Sequence, residues 1–593
     1  MRLRHSVAVL AAASLVTLAP TPSVVVGARA GDGPARDPLV SSAPVGTPGG
    51  ELVVAQRAEP KTFNPLVATD APSREVVRRT TADLVHINRH TLRTEPALAR
   101  SWSVSPDGRH YLVTLRRGLL FSDGHPCDAD DVVFSFQAYL DERTHSPQRD
   151  LLLVDGTPIV VRRVDALTVA FDLPAPLAAA ERLFDSVAIL PRHLLQQAAN
   201  DGTLEQAWGL ATDPSRIAGL GPFRLVRRVP GERIVLERNP YYWKVDARGQ
   251  ALPYLSRLVF VQIPDESAQA LRFQAADTDV VTRLTADDYD LLAPGQSAGS
   301  YRLADAGPGF EYNFMFFNLG DVASRGLTEV ARRQAWFRQR LFRQAVSAAI
   351  DRDAIVRLVY RGRAVPLATH VTPANRPWRN DSVPAPVRSV ARARSLLGQA
   401  GFSWDAEGRL RDAAGAPVEF TLLVAAGNQP RTQMATIIQD DLKQVGIRVA
   451  VAPLEFRALL NRVLQTRDYD ACVLGLASGD ADPSGDMNVW LSSGQTHLWN
   501  PGQEKPATAW EAEIDDLMRR QATALDVRER KRMYDRVQAL VAEELPLICL
   551  ASPDILVGAS ASLGNFKPAV LDHYVLSNVD ELFWRGRRAG GPR

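Results

Sequence analysis

Cysteine is scarce in this sequence: its 593 residues contain three, Cys127, Cys472 and Cys549. They lie far apart, and no two have the C-x-x-C spacing of a redox pair or a zinc site. We therefore expect neither a thiol active site nor a cysteine metal centre, and interpret the three as small buried hydrophobic residues. One long-range disulfide is the alternative that an oxidising compartment would allow.

The sequence also has no large excess of either sign of charge, because it contains 69 Lys and Arg residues and 67 Asp and Glu residues, a net charge of +2. This balance excludes the strongly basic face of a nucleic-acid binder. The ten histidines are scattered, and the sequence has no H-E-x-x-H pair, no P-loop and no G-x-G-x-x-G at a strand–helix junction. We therefore expect no metal, no nucleotide and no other cofactor. The G-x-S-x-G pattern at 295–299 follows Pro294 and precedes a strand-like stretch, which does not fit a hydrolase nucleophile elbow.

Long apolar runs are confined to the N-terminus. Residues 6–19 (SVAVLAAASLVTLA) follow a short cationic stretch and precede small residues at 28 and 30, the order of a secretory signal peptide. An anchor helix is the alternative, but Pro20 and Pro22 would interrupt it. We predict a signal peptide over residues 1–30 and a flexible Gly/Pro/Ser-rich linker over residues 31–50. Because no cysteine near the cleavage site offers a lipid anchor, a free periplasmic protein is expected.

The mature chain changes character midway. In the first half, SWSVS (101–105) and YLVTLR (111–116) flank a Pro-Asp-Gly turn and predict a hairpin, and Asp128 is placed to cap a helix. In the second half, from Val418, strand and helix patterns alternate, which is typical of a largely parallel α/β layer. Together these patterns predict an α/β protein with two lobes.

Four segments carry a resemblance to a known family. The sequence is similar to the solute-binding proteins of bacterial ABC importers, in the class of the dipeptide- and oligopeptide-binding proteins (solute-binding protein family 5). The segments are PALARSWSVSPDGRHYLVTLRRGLLFSDGHPCDADDVVFSF (96–136), GLGPFRLV (219–226), LERNPYYWK (236–244) and FRQAVSAAIDRDAIVRLVYRGRAVP (342–366).

The resemblance implies a fold. It is the α/β, two-lobed periplasmic-binding-protein fold, type II-like, with an extra subdomain inserted in the first lobe. We assign 51–83, 211–310 and 552–593 to lobe I, 84–210 to the inserted subdomain, and 311–551 to lobe II. The solute is expected between the lobes.

The resemblance also implies which residues contact the solute. In peptide-binding relatives two segments flank the ligand as short strands that use their backbone groups. The second segment follows a predicted strand at its carboxyl end, where ligands of open sheets bind. The matching positions are Thr69, Asp70 and Ala71 in lobe I, and Gly475, Leu476, Ala477, Ser478, Gly479, Asp480 and Asp482 in lobe II.

The second segment departs from the family pattern at two positions. Peptide binders have a Trp where this chain has Leu476, and an Asp that pairs with the peptide amine where this chain has Gly479. A shift of one residue would give the amine-binding role to Asp480. We interpret Asp482 as a cap of the loop or of the following helix. Asp480 and Asp482 also begin an EF-hand-like pattern, but its twelfth position is Leu491 instead of Glu.

Three tryptophans lie in the segment 490–511. They either pack a long loop against lobe II or stack against a sugar or peptide, and the sequence leaves both interpretations open.

The implied function is transport without catalysis. The protein is expected to enclose a small solute, in the first instance a short peptide, and to deliver it to an ABC permease and ATPase. A monomer without nucleic acid is expected. The open alternatives are a non-peptide solute, such as an oligosaccharide or a metal chelate, and the same fold acting as a ligand sensor or chaperone.

Overall fold

A computed structural model describes residues 36–586 except 155, 186, 572 and 573. The predicted signal peptide therefore lies outside the described residues. In the part of the chain that is described, none of the helices combines the length and apolar character needed to cross a bilayer.

Twelve strands of the described residues form one large sheet. Its strands lie in the order Phe223–Val229, Arg233–Arg238, Arg257–Gln262, Glu51–Gln56, Val280–Val281, Ile548–Ser560, Glu311–Phe317, Ala471–Ala477, Glu419–Ala425 and Arg448–Leu454, and Tyr301–Pro308 and Ala364–Pro366 also pair with Ile548–Ser560. A separate antiparallel sheet contains Ala99–Val104, His110–Leu115, Thr168–Asp172 and Val160–Arg163. The short strand pairs are Leu39–Val40 with Lys244–Val245, Val85–Ile87 with Thr94–Pro96, Leu153–Val154 with Thr157–Pro158, Ser403–Trp404 with Leu410–Arg411, and Leu563–Gly564 with Phe583–Trp584.

Helices cover the faces and ends of these sheets. They are Ala71–Thr80, Ala129–Leu140, Arg192–Asp201, Glu266–Gln274, Ala286–Leu292, Thr328–Phe337, Arg340–Ala349, Arg352–Val359, Val390–Gln399, Gln429–Lys443, Phe456–Leu460, Met487–Trp490, Ala509–Thr523 and Val527–Glu544.

The buried side chains divide into two lobes. One core joins residues 52–280 to residues 555–584, and it includes side chains of the inserted subdomain. Two further cores lie within residues 312–551. The division follows the predicted two-lobed α/β arrangement, while the exact lobe boundaries stay a prediction.

The strand Ile548–Ser560, called here the crossing strand, connects the two lobes. Its first part, up to Pro553, pairs with Glu311–Phe317 and Ala364–Pro366 of lobe II. From Asp554 onward it pairs with lobe I strands. One continuous strand therefore carries the backbone hydrogen bonds of both lobes.

Local sequence signals account for several elements. Asp128 and Asp131 form a capping box at the start of Ala129–Leu140, which confirms the predicted cap and satisfies amides that the helix leaves free. The predicted hairpin is confirmed as Ala99–Val104 and His110–Leu115, with Gly108 at φ +70° in its turn. The predicted α/β alternation is confirmed too, since Glu419–Ala425 is parallel to Arg448–Leu454.

The cysteines and tryptophans are packing residues. All three cysteines are free and buried, so the interpretation as hydrophobic residues is confirmed and the disulfide alternative is wrong. Trp490 and Trp499 are 1% and 0% exposed in the core of lobe II. Trp510 is partly buried against the same core.

Residues 36–50 differ from the predicted flexible linker. Leu39–Val40 pairs in parallel with Lys244–Val245, and the Ser41 hydroxyl donates to the Glu581 carboxylate at 2.5 Å. The Gly49 amide donates to the Tyr254 carbonyl at 2.8 Å. A segment rich in Gly and Pro has few side chains to pack, but here its backbone groups and the Ser41 hydroxyl attach it to lobe I.

We predict that Gly50→Ala destabilises the protein through this attachment. Gly50 has φ +85°, and a Cβ there would collide with the Trp584 ring. Gly231 also has a positive φ, +69°, but a Cβ there meets nothing within 4 Å. We expect Gly50→Ala to cost about 1–3 kcal/mol more than Gly231→Ala, seen as a lower Tm by calorimetry. Equal Tm values for the two variants would contradict the packed arrangement.

Candidate functional site

The strand directions place the carboxyl ends of both lobes' strands face to face. The crossing strand runs from lobe II into lobe I, and Val280–Val281 is antiparallel to it, so Val280–Val281 points toward lobe II. Glu311–Phe317 is also antiparallel to it, and Ala471–Ala477 is antiparallel in turn to Glu311–Phe317, so Ala471–Ala477 points toward lobe I. Ligands of open α/β sheets bind outside such ends. The candidate site consists of the residues that follow them.

The predicted lobe I segment, Thr69–Ala71, begins a helix. Asp70 caps Ala71–Thr80, and its carboxylate accepts from the Ser73 amide at 2.9 Å and the Ser73 hydroxyl at 2.7 Å. Gln56, at the end of the strand Glu51–Gln56, donates to the Pro72 carbonyl at 2.9 Å. Thr69 and Ala71 are exposed. The Asp70 side chain therefore has a structural role, and the Thr69 and Asp70 carbonyls accept hydrogen bonds from Arg74.

The predicted lobe II segment begins on a half-paired strand. Ala471–Ala477 pairs with Glu311–Phe317 along its whole length. On its other side it pairs with Glu419–Ala425 only at Ala471 and Cys472. On that side the strand has no neighbouring strand among the described residues toward Gly475 and Ala477, and strand addition by a peptide requires such an unpaired edge. Leu476 packs against the lobe II core, whereas Ala477 and Gly479 are exposed.

Asp480 is bound by an arginine from the inserted subdomain. Arg182 Nε donates to Asp480 Oδ2 at 2.6 Å, and Arg182 Nη2 bonds to Asp480 Oδ1. The two side chains are 14% and 24% exposed. An apolar cluster of Ile87, Leu92, Phe310, Ala481 and Leu571 draws side chains from both lobes. A solute amine at Asp480 would therefore compete with Arg182 for the carboxylate.

Asp482 and Ser478 stabilise the loop from within lobe II. Asp482 is buried, accepts from Arg530 at 2.7 and 3.0 Å, and caps the short helical turn that follows through the Ser484 amide. This confirms the interpretation of Asp482 as a cap. The Ser478 hydroxyl donates to Asp486 Oδ1 at 3.1 Å.

A second group of charged side chains lies at the junction of the lobes. We call Arg283, Glu311, Asn313 and Arg431 the hinge cluster. Arg283 Nη2 is 2.6 Å from Glu311 Oε2, and Arg431 Nη2 is 3.5 Å from Glu311 Oε1. Arg431 Nε donates to Asn313 Oδ1 at 2.9 Å. Burial opposes the charge of Glu311, but the positive charges of Arg283 and Arg431 outweigh it and keep the pKa of this carboxyl below its usual range.

The lobes also meet beside the hinge cluster. Arg363, in lobe II, donates to Asp290 at 2.7 Å and stacks on the Tyr289 ring at 4.2 Å, both on the lobe I helix Ala286–Leu292. Arg361 pairs with Asp287 of the same helix.

Sequence reasoning missed Arg182 and the hinge cluster. Arg182 and Asp480 are 298 positions apart, and a single arginine in the largely apolar stretch PLAAAERLFDSV (176–187) carries no local signal. Arg283 and Arg431 have one signal in retrospect, because each follows a strand at its carboxyl end. Within the described residues, no group of three or more His, Cys, Asp or Glu side chains could hold a metal ion.

The family model for bacterial extracellular solute-binding proteins, family 5 (middle region), matches residues 93–497. The chain belongs to this family. A probable ABC transporter-binding protein of Deinococcus radiodurans is 29% identical over 84% of this chain and 85% of its own length. The oligopeptide-binding protein AppA of Bacillus subtilis is 25% identical over 88% of this chain and 89% of its own length.

Several solved structures have the same fold as this solute-binding protein. The substrate-binding protein CtaP of Listeria monocytogenes matches with a TM-score of 0.75 and 23% identity, covering 91% of this chain and 100% of that one. The B. subtilis AppA complex with a nonapeptide matches with a TM-score of 0.70 and 25% identity over 91% and 100% of the two chains. The likeness confirms the predicted two-lobed α/β fold. Members of the family are transport receptors, not enzymes.

We predict that the Arg182–Asp480 pair holds the lobes together. Replacing Arg182 by Ala leaves a poorly solvated carboxylate at the lobe contact, which should cost the closed form about 2 kcal/mol, roughly a thirtyfold shift toward open molecules. Small-angle scattering of solute-free protein should show a larger radius of gyration for Arg182→Ala and Asp480→Asn. Arg162→Ala is the matched control, since Arg162 pairs with Asp172 inside the subdomain at 3.0 Å. Unchanged scattering for both lobe-contact variants would refute the prediction.

Asp486 gives the loop a pH dependence. Burial raises the pKa of Asp486 from 3.8 to about 6. Between these values the folded protein holds a proton that the unfolded chain has released, so stability falls as the pH rises through this window and is unaffected by this group below it.

We therefore expect the wild type to lose on the order of 2 kcal/mol more than Asp486→Asn between pH 4 and pH 7. Calorimetric Tm values at the two pH values measure the difference. Asp516→Asn is the control, because Asp516 is exposed and pairs with Arg520 within the helix Ala509–Thr523. If Asp486→Asn follows the wild type at both pH values, Asp486 is not the titrating group.

Proposed function

We propose that this protein is the solute receptor of an ABC importer, which encloses a peptide-like solute between its lobes and delivers it to the membrane permease and ATPase. The observation that carries the proposal is the opposition of strand ends from two lobes that share one crossing strand. Relatives named oligopeptide- and dipeptide-binding proteins, such as those of B. subtilis and Pseudomonas aeruginosa, support the peptide class. We propose that it acts as a periplasmic monomer, exported by a cleaved signal peptide.

Binding in such a receptor shifts a population. A solute that contacts both lobes does so only when they are closed, so it stabilises the closed form by its differential affinity. The permease then distinguishes closed from open molecules. In this proposal the crossing strand keeps its pairing with both lobes during the change, so that each lobe moves as a rigid body.

The solute contacts that we propose are mostly backbone groups. Thr69–Ala71 and 475–479 would flank an extended solute, with the half-paired side of Ala471–Ala477 adding a strand to it. This mode tolerates Leu476 in place of Trp. Asp480 would serve as the amine partner in solutes that displace Arg182, and Asp482 would support the loop through Arg530.

A non-peptide solute is the second candidate. Gly479 offers no carboxylate where peptide binders have one, and Asp480 is already held by Arg182. Structures of similar fold include NikZ of Campylobacter jejuni with Ni(L-His) and NikA of Brucella suis with Fe(III)-EDTA.

A melting-temperature screen tests the solute class. The mature protein would be stripped by unfolding and refolding, then tested against short peptides, oligosaccharides and metal chelates. A solute at ~100 times its Kd adds about 2.7 kcal/mol to stability, which raises the Tm of a protein of this size by a few degrees. We expect peptides to produce this shift.

Two tryptophan variants provide the control. Ala477→Trp would fill the exposed strand position and should abolish the shift, whereas Ala413→Trp, in an exposed turn of lobe II, should keep it. A shift with sugars or chelates alone would overturn the peptide class and leave the receptor function intact.

A further inference from the structure

The two carboxylates of the predicted lobe II segment are already paired with arginines. Asp480 is held by two guanidinium nitrogens of Arg182, and Asp482 is held by two of Arg530. Both oxygens of each carboxylate take part in these pairs, which is the strong, bidentate geometry of an arginine with a carboxylate. Among the described residues of the segment, no carboxylate is left free to bind a cation of the solute.

The inserted subdomain holds Arg182 in position for this pairing. The third guanidinium nitrogen, Nη1, donates to the Leu92 carbonyl at 3.3 Å. Leu92 has φ +60°, a left-handed conformation that is uncommon outside glycine and persists where the surrounding structure fixes it. At the end of the helical turn that carries Arg182, Asp185 accepts from the Ile87 amide at 2.9 Å. The guanidinium is therefore preorganised, and little further ordering is needed for it to pair with Asp480.

Neighbouring apolar side chains shield the Arg182–Asp480 pair from water. The two side chains are 14% and 24% exposed, and the apolar cluster of both lobes includes Leu92 and Ala481, which lie next to them. Breaking a poorly solvated ion pair is costly, because the partner that remains keeps an unpaired charge. A solute ammonium group that took Asp480 would leave Arg182 without its counter-charge and would be repelled by it.

We propose that Arg182 is a specificity-determining residue, which fills the place of a solute cation at Asp480 and thereby selects solutes whose group at this loop carries no positive charge. The inference rests on the proposed receptor function and names the chemistry of one part of the solute. For a peptide, an acylated amino terminus meets this condition. For another solute, the group is an uncharged one, such as a hydroxyl or an amide.

Calorimetric titration with trialanine and N-acetyl-trialanine tests the proposal, since the two peptides differ in the charge of the amino terminus. N-acetyl-trialanine should bind the wild type about 10–100 times more tightly, because trialanine must compete with a poorly solvated ion pair. Arg182→Met should reverse the preference, since Asp480 is then free to pair with the ammonium group of trialanine. The double variant Arg182→Met/Asp480→Asn should bind the two peptides about equally.

The ratio of the two affinities separates specificity from lobe closure. If Arg182 only held the lobes together, its loss would weaken the binding of both peptides by the same factor and leave the ratio unchanged. Arg182→Lys retains the charge and should keep the wild-type preference. Arg162→Met is the matched control and should keep it too, because Arg162 pairs with Asp172 inside the same subdomain. Circular dichroism and Tm would show that each variant is folded, and Arg182→Gln substitutes for Arg182→Met if the latter is not.

Failure of the two proposals can be told apart. Equal or tighter binding of trialanine by the wild type, or an unchanged preference in Arg182→Met, would overturn the role of Arg182 and leave the peptide function in place. If neither peptide binds, the peptide class fails, and the role of Arg182 is then decided with methylammonium chloride at constant ionic strength. A rise in the Tm of Arg182→Ala that Arg182→Ala/Asp480→Asn lacks would support it, because the cation then takes the vacated place beside Asp480. No rise, or an equal rise in the wild type, would overturn it.

Discussion

Both lobes depend on the backbone hydrogen bonds of the crossing strand, Ile548–Ser560. A strand that pairs on both sides satisfies the hydrogen bonds of its amides and carbonyls. It can therefore run buried from one core to the other without the free-energy cost of unpaired backbone groups. The changeover at Pro553 and Asp554 moves the strand from the partners of lobe II to those of lobe I. Because the strands of each lobe take their direction from this shared strand, the opposition of their carboxyl ends follows from its pairing.

Electrostatics then defines the space between the lobes. A charged group at a lobe contact loses hydration when the contact forms, and an opposite charge on the facing lobe offsets that loss. Arg182 with Asp480 is one such pair, in the loop after the strand Ala471–Ala477, and Arg283 with Glu311 is another, in the hinge cluster. Each couples the position of a lobe to the solvation of a single carboxylate. Because desolvation offsets much of the attraction, these ion pairs add little to the net stability of the fold. Their main effect is to specify how the two lobes meet.

Much of the fold was predictable because its signals are local. The Asp128 cap and the Pro-Asp-Gly turn each involve residues within a few positions of one another, and alternating strand and helix patterns indicate a parallel layer without any knowledge of contacts. The lobe II site segment was predictable from its place after a strand. Arg182 was not, since its partner lies almost three hundred positions away. Residues 36–50 were mispredicted for a related reason: composition reports what side chains can bury, whereas this segment is held by hydrogen bonds of its backbone amides and hydroxyl groups.

The attachment of residues 36–50 also bears on the order of folding. Ser41 and Thr47 bond to Glu581 and Trp584, so the two ends of the described chain meet in lobe I. The lobe II cores, by contrast, draw only on residues 312–551. A chain that appears N-terminus first can therefore complete lobe II before the last strand of lobe I is present. The contact between Ser41 and Glu581, which closes a loop of more than five hundred residues, then forms at the end. If the chain crosses a membrane unfolded, as we propose, lobe I is the last part of the described chain to assemble.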